Sequence, residues 1–140
     1  MSEEGQKNGK PLVLLVEDDT FLCDIFLRKA EESFRVLVSH DGEEALKIAE
    51  EQCPDVILLD LNLPGENGFD ILKKIRSNKR TEHILVLILT NSVLSEDAIR
   101  SNELKADDFL TKANFSIEEI ISRMESHLAD RVVEGRVENV

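Results

Sequence analysis

The chain has 140 residues, enough for one domain with a single sizeable core, and carries 29 Asp and Glu against 17 Lys and Arg, a net charge of -12. That balance argues against DNA, RNA or an anionic membrane surface as the main partner, because each is bound through Lys and Arg. Most of the acids read as solubility. The longest apolar run, Ile84 to Leu89, is far too short to span a bilayer, and no basic start with an apolar core marks a signal peptide. Cys23 and Cys53 lack metal-ligand spacing and read as buried or half-buried thiols in a reducing compartment. The expectation is a soluble cytoplasmic protein.

Residues 1–9 are polar, glycine-bearing and aperiodic, and read as a flexible tail ahead of a domain over 10–131. Leu12 to Val16 is an apolar run ending in Glu17-Asp18-Asp19, after which Asp19 or Thr20 can cap a helix with Leu22, Ile25, Phe26 and Ala30 at helical spacing. Arg35 to Ser39 reads as a short strand. Asp41, with Glu44 three residues on, resembles a capping box for a helix that buries Ala45, Leu46 and Ala49. Val56 to Leu59 is a second unbroken apolar run, bounded by Pro54-Asp55 and Pro64-Gly65, and it leads directly into Asp60.

Asn67-Gly68 starts a helix that turns Phe69, Leu72 and Ile75 inward, and Ile84 to Leu89 is the next buried strand, ending at Thr90-Asn91-Ser92. Ser95 is placed to cap a helix with Glu96 and Asp97 in its first turn. Asp108 to Thr111 is a short fifth strand ending at Lys112. Ser116 and Glu119 form a capping box, Phe115 and Ile120 a hydrophobic staple, and Ile117, Ile120, Ile121, Met124 and Leu128 one apolar stripe. Gly135 reads as the stop, leaving 132–140 as a tail.

Five alternations of strand and helix predict an α/β fold with a doubly wound parallel sheet and helices on both faces. Three of the five strands are the unbroken apolar runs that such a sheet demands. Ligands of this architecture bind outside the carboxyl ends of the strands. The polar residues at those ends are Glu17, Asp18, Asp60, Thr90 and Lys112. Three carboxylates in one pocket must take up protons or recruit a cation, and an oxygen donor set with few ligands suits Mg²⁺. A carboxylate can also attack phosphorus, while a metal and a lysine neutralise the transferring group and a hydroxyl hydrogen-bonds it.

These residues resemble the response-regulator receiver domains, of the kind typified by the bacterial chemotaxis regulator. Leu14 to Asp19 matches the family's first strand and acidic pair, and Asp60-Leu61-Asn62-Leu63-Pro64 with Gly68 matches its acceptor strand and loop. Thr90 lies 30 residues after Asp60, and Lys112 lies 22 after Thr90, spacings that also fit. The resemblance implies a five-stranded flavodoxin-like sheet of order 2-1-3-4-5 and a single-domain response regulator. Asp60 would then accept phosphate from a sensor histidine kinase or a histidine phosphotransfer protein. Asp18, Asp60 and the Asn62 carbonyl would hold Mg²⁺, with Glu17 acting through water. Lys112 would pair with Asp60, Thr90 would swing to the phosphoryl group and Phe109 would turn inward behind it. Output would pass by contact with a downstream protein, through the fourth helix, fifth strand and fifth helix.

Three features depart from the family pattern or tune it. Ala113 replaces the usual proline after the lysine, which predicts a trans bond and a shifted lysine loop, because a cis bond before a non-proline costs about 2.5–4 kcal/mol. Asn91 replaces a small residue beside Thr90 and is expected to crowd the entrance or restrict the threonine. Asn62 and Ser92 flank the path of attacking water and are expected to set the lifetime of the phosphate.

Ala113 and Asn91 also favour the alternative of a receiver-like binding scaffold that is not phosphorylated. A phosphatase is disfavoured, since Asn62 stands where a general acid would be needed. His40, His83 and His127 form no cluster and read as surface residues. The Val132, Val133, Val137 and Val140 tail suggests packing on a partner or a second copy, a homodimer.

Overall fold

The computed structural model describes residues 9–138, with side chains to Val132. The apolar runs become strands β1 (Leu12–Val16), β2 (Arg35–Ser39), β3 (Val56–Asp60), β4 (Leu85–Thr90) and β5 (Asp108–Thr111). Between and after them lie α1 (Thr20–Ala30), α2 (Gly42–Gln52), α3 (Gly68–Ser77), α4 (Ser95–Glu103) and α5 (Ile117–Glu138). All strand pairs are parallel, and the order is β2-β1-β3-β4-β5.

Alternation along each strand divides the core into two layers. Val13, Leu15, Val56, Leu58, Leu87 and Leu110 face α1 and α5, where Phe26, Ala30, Ile120, Ile121 and Met124 meet them. Leu14, Val16, Ile57, Leu59, Val86 and Ile88 face α2 and α3 through Ala45, Ala49, Phe69, Leu72 and Ile75. Full burial of one such side chain contributes about 1.5–3 kcal/mol, so the central strands hold a fixed register. Val16 pairs with Leu59, Asp60 with Leu89 and Thr90 with Thr111, which brings the carboxyl ends of β1, β3, β4 and β5 to one rim.

Local signals place the helices. Asp19 caps α1 by accepting from Phe21 N and Leu22 N, and Asn67 caps α3 through Phe69 N. Ser116 and Glu119 exchange both bonds of their capping box, at 2.8 and 3.1 Å. Asp41 accepts from Glu44 N at 2.8 Å, but the Glu44 carboxylate turns to Ser39 Oγ at 2.9 Å, leaving that box half formed.

Several expectations are corrected. Ser95 is the first residue of α4 and makes no cap bond; Leu94 is the cap position, and the Ser92 hydroxyl accepts from Leu94 N instead. Cys53 is exposed, because it ends α2 in a left-handed conformation (φ 46°) while Pro54 takes the buried position. The final helix runs through Gly135 to Glu138, since one glycine costs a helix only about 1 kcal/mol. His127 is half-buried, bonding Asp108 through Nε2 at 2.9 Å. Residues 1–8 and Val140 lie outside the described residues, as do the side chains of Val133 and Val137. Among the described residues no helix is long and apolar enough to cross a membrane.

Candidate functional site

The rim collects the five polar groups from four strand ends. One carboxylate oxygen each from Glu17, Asp18 and Asp60 lies within 4.8 Å of the others. Glu17 and Asp60 are buried, 1% and 4% exposed, while Asp18 faces solvent at the mouth. Thr90 is fully buried at the end of β4. Lys112 is placed by its own backbone, whose N–H donates to the Thr90 carbonyl at 2.7 Å.

The loop after Asp60 is held by a close approach of two backbones. Gly68 N donates to the Leu61 carbonyl at 3.1 Å, and a Cβ on Gly68 would fall 2.5 Å from Leu61 Cα. Only a residue without a side chain lets α3 begin so near the loop after Asp60. The loop then aims Asn62 N at Asp60 Oδ1, 3.0 Å away.

Lys112 does more than pair with Asp60. Its ammonium lies 3.3 Å from Asp60 Oδ2 but 2.7 Å from Glu17 Oε1, so in this arrangement Glu17 meets the lysine directly. The Glu17 contact is one of charge, without hydrogen-bond alignment at that buried oxygen. Glu17 Oε2 accepts from Asp19 N at 3.1 Å. Burial first, with the Asp60 charge adding to it, holds the Glu17 carboxyl above its ordinary pKa despite Lys112 and that N–H. Burial pulls the Lys112 ammonium down, but the close contact with Glu17 and the charges of Asp60 and Glu17 outweigh it and hold the lysine above its usual range.

Thr90 has side-chain partners of its own. Its Oγ1 accepts from Asn62 Nδ2 at 3.1 Å and from Ser92 N at 3.1 Å. Ser92 Oγ in turn donates to Asp97 Oδ2 in the first turn of α4, at 2.5 Å. Phe109 is half-buried against the α2–α3 layer. Asn91 is exposed beside Thr90, and the peptide after Lys112 is trans. His40 reaches the rim only to meet the Glu17 carbonyl through Nδ1 at 2.9 Å.

Two supports were not legible in the sequence. Glu66 grips Gly42 N with both carboxylate oxygens, at 2.9 and 3.0 Å, and so ties the loop after Asp60 to the start of α2. The Ser92–Asp97 bond joins the end of β4 to α4. The first pair is 24 residues apart and follows no motif; for the second, Ser92 alone carried a signal, as an Asx- or Ser-type turn residue.

The donor set is made of hard oxygens, and one buried carboxylate oxygen lacks an aligned hydrogen bond. These residues fit a small divalent cation such as Mg²⁺ or Mn²⁺ better than any soft metal.

Comparison with known proteins agrees with this geometry. The family model for the response regulator receiver domain matches residues 13–125. The chain is 40% identical over 116 residues to the transcriptional regulatory protein CiaR of Streptococcus pneumoniae (strain ATCC BAA-255 / R6), covering 83% of this chain and 50% of that protein. It thus spans about half the length of the curated relatives it matches. Among solved structures, the receiver domain of the Francisella response regulator 1452 has a TM-score of 0.77 at 34% identity, covering 88% of this chain and 99% of that one. The Mn²⁺-bound form of response regulator Rcp1 has a TM-score of 0.71 at 30% identity, covering 83% and 92%. The expected absence of a nucleic-acid partner gains no support, since relatives that share this segment are named as transcriptional regulators; charge speaks only for the segment's own surface.

Proposed function

Because the chain belongs to the response regulator receiver domain family, we propose that Asp60 is its phospho-acceptor and that phosphorylation switches its contacts with a downstream protein. The observation that carries this reading is the meeting of Asp60, Asp18 and Glu17 within 4.8 Å, with Lys112 against two of them. A bound Mg²⁺ would neutralise charge on the transferring phosphoryl group.

The donor is a phosphohistidine of a sensor kinase or of a phosphotransfer protein. An Asp60 carboxylate oxygen attacks phosphorus as the P–N bond breaks, and the imidazole leaves with the electron pair and is protonated from solvent. Glu17, Asp18 and Asp60, with the Asn62 carbonyl, would hold the cation. Asn62 N orients Asp60 through Oδ1, and Oδ2, which accepts from Lys112 Nζ at 3.3 Å, is the oxygen that attacks. Lys112 then follows the new charge, exchanging a carboxylate for a phosphoryl oxygen. Thr90 turns its hydroxyl to the phosphoryl group, and Phe109 fills the space behind it.

Output passes through the face formed by α4, β5 and α5. Support for this comes from α4 itself, which buries only Ser101 and leaves Val93, Leu94 and Ile99 exposed around it. A weakly packed element of this kind is free to shift between two arrangements. A cytoplasmic location goes with a kinase-fed acceptor and with two free thiols.

The test is incubation with acetyl phosphate, followed by phosphate-affinity electrophoresis. A shifted band that requires Mg²⁺ and is absent from Asp60→Asn supports the reading. A band that persists in Asp60→Asn, or no band in the wild type, refutes it.

A further inference from the structure

We propose that the side chain of Asn62 is a latch on Thr90: it holds the threonine in its resting orientation before any phosphate arrives, and so sets how readily the switch is thrown. The inference rests on the reading of Asp60 as acceptor and goes beyond it, to the equilibrium of the unphosphorylated protein.

Thr90 Oγ1 is fully buried and takes two donors, Asn62 Nδ2 and Ser92 N, both at 3.1 Å. A hydroxyl has two acceptor lone pairs, so these two donors engage both. Turning the hydroxyl toward a phosphoryl group on Asp60 carries Oγ1 off both donors. The Ser92 bond is local, two residues away, and can follow the loop as it moves. The Asn62 bond spans 28 residues and joins a different strand end, so it must break.

Asn62 is suited to a releasable hold. It is exposed, so its freed amide is immediately hydrated, and its own main-chain N–H stays on Asp60 Oδ1 at 3.0 Å. One residue thereby touches the acceptor through its backbone and the switch threonine through its side chain. A neutral hydrogen bond of this kind biases an equilibrium about two- to tenfold, which is enough to tilt the resting state and too little to lock it. Asn62 is a positioning residue here, acting through Thr90.

The experiment uses Asn62→Ala in the full chain. In the unphosphorylated, metal-free protein, the three-bond couplings of the Thr90 methyl group report its rotamer populations. The latch predicts that the ratio of phosphoryl-facing to resting rotamer rises about two- to tenfold in the variant. It further predicts that beryllofluoride with Mg²⁺ binds the variant more tightly by a similar factor, and that this gain vanishes in a Thr90→Val background, where there is no oxygen to hold. Unchanged couplings overturn the proposal, and so does an equal gain in the Thr90→Val background. If the wild type binds no beryllofluoride at all, the acceptor reading fails, while the couplings still decide the latch.

Discussion

Replacing Lys112 with methionine isolates the electrostatic account of the site, because the change keeps most of the apolar stem and removes the ammonium. In the wild type that ammonium sits 2.7 Å from Glu17 and 3.3 Å from Asp60, side chains only 1% and 5% exposed, and is itself 16% exposed. Breaking a buried pair by removing one partner costs about 3–5 kcal/mol. Here the loss is cushioned, because Glu17 keeps its bond from Asp19 N and can take up a proton, so we expect about 2–3 kcal/mol near neutral pH.

Burial already raises the Glu17 pKa above its unfolded value of 4.5. A raised acid weakens folding as pH climbs from the unfolded toward the folded value, and losing the lysine extends that window upward. The deficit of the variant should therefore be largest at neutral pH and shrink toward about pH 5. Saturating Mg²⁺ should stabilise the variant more than the wild type, since a cation then replaces the missing charge. Urea unfolding at both pH values, with and without Mg²⁺, measures all of this. A deficit below about 0.5 kcal/mol, or one of equal size at both pH values, would refute the reasoning.

Three other consequences are open to measurement. Gly68→Ala places a methyl 2.5 Å from Leu61 Cα, and neither backbone can yield cheaply. Denaturant unfolding should show a loss of about 1–3 kcal/mol together with weaker Mg²⁺ binding, and an unaltered affinity would separate Gly68 from the site. Arg76 bonds the carbonyls of Lys105, Glu82 and Ile84 and the Asp107 carboxylate, bracing α3 against β4 and the approach to β5. Arg76→Lys cannot reproduce that fork and should lose about 2–4 kcal/mol; a near-neutral result would show the brace to be dispensable. Burial, with Glu17 and other acids nearby, pushes the Cys23 thiol from 9.0 to about 11, so a mild alkylating agent should label exposed Cys53 and spare Cys23 until the protein unfolds. A group raised in this way contributes stability that is complete below pH 9.0 and lost as pH rises toward about 11, with raised Lys112 adding to the loss. Cys23→Ala should remove the first part of that alkaline decline, and an identical pH profile in the variant would contradict the assignment.

The parts of the molecule most legible in the sequence are those fixed by one-dimensional pattern. Leu12–Val16, Val56–Leu59 and Ile84–Leu89 read as doubly buried strands because they are short and, for Val56–Leu59, bounded by turn residues, which favours a strand over a buried helix segment of the same composition, and the acids and hydroxyl that follow them fall on the rim. Asp60, Thr90 and Lys112 come together as that reasoning requires.

Side-chain choices among several partners were less legible. Lys112 could have met either acid, and it lies nearer Glu17 Oε1, at 2.7 Å, than Asp60 Oδ2, at 3.3 Å. Asn62 carries no pattern that announces a bond to Thr90. Helix ends failed where tertiary contacts outbid local signals: Ser92 replaced Ser95 at the start of α4, and Gly135 did not stop α5. Cys53 was misplaced because an apolar residue type says nothing of the left-handed turn that exposes it.

The most direct measurement is chemical mapping of the acceptor. Protein treated with acetyl phosphate and Mg²⁺ is reduced with borohydride, which converts an acyl phosphate on aspartate to homoserine, and is then digested and sequenced by mass spectrometry. The conversion should fall on Asp60 alone, with Asp18 and Glu17 unchanged. Homoserine at any other position, or none at all from protein that has taken up phosphate, would contradict the assignment of the acceptor.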